Sequence, residues 1–138
     1  MDFELHPHLM KKDFVADLPL CRVLLQDVSH YPWLLLVPRR AGVARLIDLE
    51  LSDQLQLLSE LELAQQLIWN SFELNQLNVA ALGNKIPQLH IHVIGRKEGD
   101  PAWPNTVWDH PAKTPYSSAQ KESLIQLLQE GLLVPNAK

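Results

Sequence analysis

Two apolar runs near the start of the chain constrain the fold most. The first, CRVLLQ, covers residues 21–26, and the second, WLLLVP, covers residues 33–38. Short runs of this composition, bounded by turn residues, are typical of buried β-strands. The segment DVSHYP between them is short enough for the two strands to pair as an antiparallel hairpin with a longer loop.

A long amphipathic segment follows and predicts one helix over residues 52–76. Apolar side chains recur there at helical spacing, and no Gly or Pro interrupts the pattern. The apolar positions are Leu57, Leu61, Ala64, Ile68 and Phe72. Ser52 is the predicted N-cap, since its hydroxyl can accept a hydrogen bond from the first turn.

The remaining segments complete an α+β pattern. We predict a strand over residues 77–84 that turns at Gly83 and Asn84 and pairs with a strand at QLHIHV, residues 88–93. A short helix is expected within residues 3–16, an irregular loop over 96–116, and a final helix over 117–131 that a Ser117–Gln120 capping box begins. Hairpins crossed by one long helix indicate an antiparallel sheet with one face on the helix and the other free for a ligand.

Length and charge restrict the class of protein. The 138 residues suit one domain over 1–138, with its core at about 20–110. A net charge of −4 argues against binding a nucleic acid polymer, which relies on clustered Lys and Arg. A single cysteine, Cys21, excludes an intrachain disulfide. The chain shows no membrane-spanning run and no signal-peptide pattern, so we expect a cytoplasmic protein that does not bind membranes.

The hexapeptide QLHIHV places two histidines at alternate positions. Because side chains of a strand alternate between its faces, one face receives polar groups and the other apolar groups. The polar set is Gln88, His90 and His92, and the apolar set is Leu89, Ile91 and Val93. The strand therefore offers two imidazoles on a rigid support.

Three interpretations of this pair remain open from the residues alone. The histidines can lie on the solvent face of an amphipathic strand. They can bind a metal, with His110, Asp100 or Asp109 as a third ligand. They can also act in nucleophilic catalysis, since neutral imidazole attacks phosphorus and divides a nucleotidyl transfer into two steps.

Three longer stretches resemble the histidine-triad (HIT) family. They are ALGNKIPQLHIHVIGR at residues 81–96, PWLLLVPRR at 32–40 and GDPAWPNTVW at 99–108. The family pattern is His-x-His-x-His with apolar x, and the similarity extends from about Cys21 to Trp108. The chain looks most similar to a bacterial HIT-like branch.

The resemblance implies a fold, a chemistry and an assembly. It implies an α+β fold with a five-stranded antiparallel sheet, a homodimer, and neither a required metal nor another cofactor. It also implies hydrolysis or transfer at the α-phosphate of a nucleoside phosphoramidate or a dinucleoside polyphosphate. His90 falls on the family nucleophile, and His92 falls on the last histidine, which donates to phosphate oxygens or orients His90.

The first triad position departs from the family because it is Gln88, and an amide is neither an acid nor a base near neutral pH. A slower enzyme and a nucleotide-binding protein with little turnover are therefore both alternatives. Asn84 is carried over as a phosphate or histidine partner. Asp27 is the first candidate for the ribose, Gln26 the second, and Arg39 a candidate for phosphate.

Overall fold

The computed structural model describes residues 2–133 and contains one five-stranded antiparallel sheet in the order β1-β2-β3-β5-β4. The strands are β1 (Asp13–Asp17), β2 (Cys21–Leu25), β3 (Trp33–Pro38), β4 (Gln76–Ala81) and β5 (Ile91–Arg96). The α-helices are α1 (Pro7–Met10), α2 (Leu51–Ser71) and α3 (Ser118–Leu133). This architecture confirms the predicted α+β fold. Met1 and residues 134–138 of the predicted single domain lie outside the described residues.

The predicted hairpin of the two apolar runs forms the centre of the sheet. Strands β2 and β3 pair antiparallel from Cys21 opposite Pro38 to Leu25 opposite Leu34. Every residue of β3 is buried, because both faces of this strand are covered. The second edge of β3 pairs with β5, which brings Leu35 opposite His92.

Alternate residues of the sheet feed two apolar clusters on its opposite faces. The first cluster contains Leu34 and Leu36 and packs against α2 through residues such as Ile68. The second contains Trp33 and Leu35 on the other face. We expected that second face to be open, but it is largely covered by two chain segments that enter its cluster: Leu5 and Leu9 from the N-terminal segment, and Ala102 and Val107 from the loop after β5.

Helix α2 is shorter than predicted and has a different N-cap. It begins after Glu50 rather than Ser52, and it ends at Ser71, not at 76. Buried Glu60 fastens the helix to the sheet, because its carboxylate accepts hydrogen bonds from the backbone N–H groups of Leu20 and Cys21 at 2.8 and 2.7 Å. The anchor thus holds the start of β2 against the middle of the helix.

Several other predicted boundaries shift. Strand β5 begins at Ile91, so the first half of QLHIHV precedes it, and β4 ends at Ala81 instead of 84. The helix expected within residues 3–16 is only the four residues of α1, and β1 follows it. Helix α3 continues to Leu133, two residues past the predicted end, and the capping box before it forms: the Gln120 N–H donates to Ser117 Oγ and the Ser117 N–H to Gln120 Oε1.

Among residues 2–133, no α-helix combines the length and apolar character that crossing a bilayer requires.

Candidate functional site

The two histidines lie side by side at the start of β5. Ile91 between them enters the cluster under α2, so the neighbouring side chains project to the opposite face. The rings of His90 and His92 are 5.1 Å apart between centroids and lie edge to face. Both residues are more than nine-tenths buried, with exposed fractions of 6% and 7%. The interpretation of the pair as a solvent-facing pattern is therefore wrong.

The protonation pattern of His92 is set by a tryptophan. The indole Nε1–H of Trp33 donates to His92 Nδ1 at 2.9 Å, and because indole is only a donor, Nδ1 must be an acceptor. Burial, the neighbouring His90 and the charge of Lys12 together lower the pKa of His92 from 6.5 to about 4. At neutral pH His92 is thus uncharged, with its proton on Nε2.

His90 has the opposite arrangement. Its Nδ1 lies 2.7 Å from the backbone carbonyl oxygen of Gln88, which can only accept a hydrogen bond. Nδ1 therefore carries a hydrogen, and in the neutral ring Nε2 holds a free lone pair. The two neutral imidazoles consequently differ in what they offer: Nε2 of His90 presents a lone pair, while Nε2 of His92 presents a hydrogen.

A cleft of about 190 Å³ opens beside His90. It lies between the loop before α2 and the end of β4, and it is lined by Ala44, Arg45, Leu46, Ala81, Leu82, Gly83 and Leu89. Gly83 turns there with a φ of 77°, a left-handed conformation that favours glycine. Arg45 places a largely exposed cation at the rim of the cleft. The His90 ring thus borders a cavity large enough for a phosphate group.

The loop after β5 covers the other side of the pair. Arg96, only 2% exposed, donates to both carboxylate oxygens of Asp100, at 2.8 and 3.0 Å, and this buried ion pair anchors the loop. From there the chain returns so that the Trp108 ring lies 5.0 Å from the His92 ring, edge to face. Trp108 covers His92 but is itself partly exposed, so the ring that shields His92 lies at the protein surface.

Gln88 lies outside the strand and faces the N-terminal segment. Its Nε2 donates to the Glu4 carbonyl oxygen at 2.8 Å, and its Oε1 accepts from the His6 backbone N–H at 2.8 Å. Both the nitrogen and the oxygen of the side-chain amide therefore bond to the N-terminal segment, whereas the backbone carbonyl of Gln88 holds His90.

The predicted ribose and phosphate residues are placed very differently from one another. Gln26 is buried on the sheet beside Trp33, and its Oε1 has no hydrogen-bond partner among the described residues. Asp27 instead accepts from Lys121 Nζ at 2.8 Å and from the Tyr116 N–H, and the bond from Lys121 lowers its pKa. Asp27 thus ties β2 to α3.

Arg39 and Asn84 have different surroundings. The Arg39 guanidinium donates to the backbone carbonyls of Leu18 and Pro19, beyond the end of β3. Asn84 is exposed in the turn between β4 and β5, next to the Gly83 that lines the cleft. The structure therefore brings Asn84 near the cleft and engages the Arg39 side chain with the turn between β1 and β2.

The three residues offered as a third metal ligand are engaged elsewhere. Asp100 pairs with Arg96, Asp109 accepts from Thr106, and the His110 ring lies against His30 at 5.7 Å. Within residues 2–133, no group of three or more His, Cys, Asp or Glu side chains is close enough to hold a metal ion. The structure thus gives the metal interpretation no ligand set.

Two site residues were not recognised as such from the sequence. Trp33 makes its hydrogen bond to a residue 59 positions away, and such a contact has no local signal. Arg45 stands in a turn that carries no motif. Trp33 lies within the PWLLLVPRR stretch, and Arg45 follows that stretch after a few residues. The sequence contains no other indication of their part in the site.

The sheet and its paired imidazoles define the class of histidine-triad folds. The model of the HIT domain family matches residues 4–99, more than half of the chain. The chain belongs to the HIT family. A search among curated proteins found no significant match.

Solved structures of bacterial relatives are similar over their full length. A histidine triad protein from Bradyrhizobium japonicum is 37% identical, with a TM-score of 0.93 over 96% of this chain and 99% of that one. A histidine triad protein from Marinobacter aquaeolei is 37% identical, with a TM-score of 0.92 over 99% and 100%. A histidine triad (HIT) protein from Sinorhizobium meliloti is 34% identical, with a TM-score of 0.90 over 94% and 97%.

Proposed function

We propose that the chain is a nucleotide-binding hydrolase or nucleotidyl transferase of the HIT type. Its substrate is a nucleoside phosphoramidate or a dinucleoside polyphosphate, attacked at the α-phosphate. The observation that carries this proposal is the complementary protonation of the two rings. His90 offers a lone pair on Nε2 beside a cleft, and His92 offers a hydrogen on Nε2.

The chemistry follows from these two atoms. His90 Nε2 attacks the α-phosphorus, a phosphorus–nitrogen bond forms, and the bond to the leaving group breaks with its electron pair on that group, which takes a proton from solvent. His92 Nε2–H donates to a phosphate oxygen as negative charge increases there. The Gln88 carbonyl stabilises the positive charge that His90 acquires, through Nδ1–H. Water or an acceptor alcohol then attacks the same phosphorus and releases its proton to solvent. The phosphorus–nitrogen bond breaks at the same time, and its electron pair returns to His90 Nε2.

The surrounding residues suggest how the nucleotide is held. The exposed Arg45 guanidinium at the cleft rim suits phosphates of the leaving group. Gln26 is our candidate for the ribose, because its buried carbonyl oxygen has no partner within residues 2–133 and a ribose hydroxyl can donate to it. Asn84 remains a candidate for a phosphate oxygen. We assign Asp27 and Arg39 to structure instead, since neighbouring groups engage both side chains.

Trapping the covalent intermediate tests the mechanism. Wild-type protein mixed with adenosine phosphoramidate or a diadenosine polyphosphate, quenched in base and analysed by mass spectrometry, should carry one adenylyl group on the peptide that contains His90. His90→Ala should form no adduct and lose at least about 1000-fold in kcat, whereas His8→Ala, which alters an exposed histidine, should behave as wild type. Unchanged turnover in His90→Ala would refute the mechanism.

A second candidate function is nucleotide binding with little turnover. The observation that favours it is Gln88, because its amide cannot transfer a proton to a leaving group and is bonded to the N-terminal segment. Calorimetry with AMP, combined with long incubation of the full substrate panel, separates the two functions. Binding without product supports the second candidate, and rapid turnover eliminates it.

We further propose that the protein is a homodimer that pairs through β4 and α2. The outer edge of β4 has no partner strand among the described residues. Beside it, α2 and β4 expose apolar side chains around a depression of about 710 Å³ that includes Leu58, Trp69 and Val79. A free strand edge next to an apolar helix face is self-complementary about a two-fold axis, so a second copy covers both features at once.

Sedimentation tests this assembly. Wild-type protein should sediment as a dimer, and Val79→Asp should sediment as a monomer because it places a charge in the apolar contact. Leu127→Asp is the matched control, since Leu127 is an exposed leucine of α3 outside the proposed interface. A wild-type monomer at all concentrations would refute the proposal.

A further inference from the structure

The N-terminal segment, residues 3–12, is the part of the chain that Gln88 holds, and we call it the strap. It crosses the face of the sheet that carries the histidines. Leu9 of the strap is fully buried in the same cluster as Trp33, and Phe3 and Leu5 pack against that cluster. The strap is therefore docked by apolar burial along its length, and Gln88 provides its polar attachment.

The attachment has a specific geometry. The two bonded groups of the strap are the carbonyl of Glu4 and the N–H of His6, which flank Leu5 on one side of the backbone. One residue of a neighbouring parallel strand would make the same two bonds through its own N–H and C=O. A primary amide reproduces this pattern because its oxygen and nitrogen are adjacent on one carbon. The two ring nitrogens of imidazole point in divergent directions, so a histidine at this position cannot make both bonds.

The strap also forms most of a second cleft. Glu4, Leu5, Pro7, Met10 and Lys12 line a space of about 590 Å³, together with Phe14, Arg22 and Leu24 of the sheet. Lys12 lies close enough to His92 for its charge to contribute to the lowered pKa of that histidine. Gln88 thus connects this cleft to the histidines. Its side chain binds the strap, which forms the cleft wall, and its backbone carbonyl binds His90.

We infer that Gln88 is a positioning residue. It attaches the strap to the segment that carries His90 and His92, and we call this attachment the clasp. The clasp keeps the strap over the nucleotide-binding face when His90 is oriented. The replacement of the first triad histidine is then an exchange of function. The chain gives up a titratable ring and gains a two-point attachment of its N-terminal segment. The clasp is independent of the proposed function, whereas its effect on nucleotide affinity rests on it.

Amide hydrogen exchange tests the clasp directly. The His6 N–H should exchange slowly in the wild-type protein and about tenfold faster or more in Gln88→Leu, because two hydrogen bonds are lost. Gln88→His should show the same acceleration. Gln126→Leu is the matched control, since it makes the same change on an exposed position of α3. Protection of His6 that is unchanged in Gln88→Leu would overturn the inference.

AMP binding tests the coupling to the site. An opened strap reduces the fraction of binding-competent molecules, so the Kd for AMP should rise about tenfold in Gln88→Leu and stay unchanged in Gln126→Leu. Lost protection with unchanged AMP affinity would overturn the coupling. Faster turnover in Gln88→His with His6 still protected would show that residue 88 is a weakened triad position and overturn the clasp. Absence of AMP binding in the wild type would contradict the proposed function, while the exchange result would still decide the clasp.

Discussion

The buried, uncharged state of His92 predicts a distinct acid sensitivity. In the folded protein the pKa of His92 is about 4, whereas the exposed side chain of the unfolded chain titrates near 6.5. The unfolded state therefore binds a proton first as the pH falls. The stabilisation from neutral His92 is present in full above about pH 6.5 and is lost progressively as the pH falls from 6.5 to 4.

The magnitude follows from these two values. One pKa unit corresponds to about 1.4 kcal/mol, so the gap between 6.5 and about 4 is worth about 3 kcal/mol in total. Most of it, about 2 kcal/mol, is lost between pH 7 and pH 4.5. Carboxylates whose pKa values are lowered, such as that of Asp27, add to the acid sensitivity in the same direction. Only the difference between matched variants isolates the contribution of His92.

Urea denaturation at pH 7 and pH 4.5, at one fixed protein concentration, measures this difference. His92→Gln retains a hydrogen-bond donor and acceptor but cannot titrate, so it should lose about 2 kcal/mol less than the wild type between the two pH values. His8→Gln, at an exposed position, should match the wild type. An equal loss in His92→Gln and wild type, or an NMR titration of folded His92 near pH 6.5, would refute the reasoning.

Three further substitutions probe the scaffold by thermal or urea unfolding. Glu60→Ala leaves two buried backbone N–H groups without an acceptor and should destabilise the fold by about 3 kcal/mol, with less loss in Glu60→Gln. Asp100→Ala leaves the buried Arg96 guanidinium without its partner and should cost about 3–5 kcal/mol; a loss below 1 kcal/mol would show that water reaches the ion pair. Gly95→Ala places a Cβ 2.6 Å from the Pro32 side chain and should cost about 1–3 kcal/mol, and an unchanged stability would mean that this contact relaxes freely.

The central hairpin and the long helix could be predicted because their signals are local. Apolar runs with turn residues between them specify β2 and β3, and helical spacing specifies α2. The end of α2 had no local signal. Phe72 continues the apolar stripe, yet its backbone is extended, and no Gly or Pro marks the change. Tertiary packing, rather than the sequence pattern, decides where this helix ends.

Strand β1 was not predicted, and its irregular pairing gives the physical reason. The register with β2 shifts between Phe14 and Ala16, so Val15 and Ala16 are both buried and the alternation of a regular strand is absent. The segment DFVAD therefore carries no period of two. Its strand conformation depends on hydrogen bonding with β2. The sequence of this short charged segment does not indicate that pairing.

The candidate site was predictable only in part, for a similar reason. The alternation of QLHIHV indicated which face His90 and His92 share. The partners that determine their protonation and surroundings come from distant segments, such as Trp33 and the strap. In particular, Gln88 bonds to groups 82 and 84 positions away. No local pattern encodes these contacts, so the sequence alone did not indicate that the Gln88 side chain bonds to the N-terminal segment.

The strand order has a consequence for folding. The pairs β1-β2, β2-β3 and β4-β5 join strands that are neighbours in sequence, while β3 and β5 are separated by the whole of α2 and β4. Closing that long loop has a larger entropic cost than forming the hairpins, so we expect it to limit the folding rate. The indole–imidazole bond between Trp33 and His92 spans the same junction. A chain that has formed only its hairpins therefore lacks the bond that orients His92, and the imidazole pair is complete only after the last long-range closure.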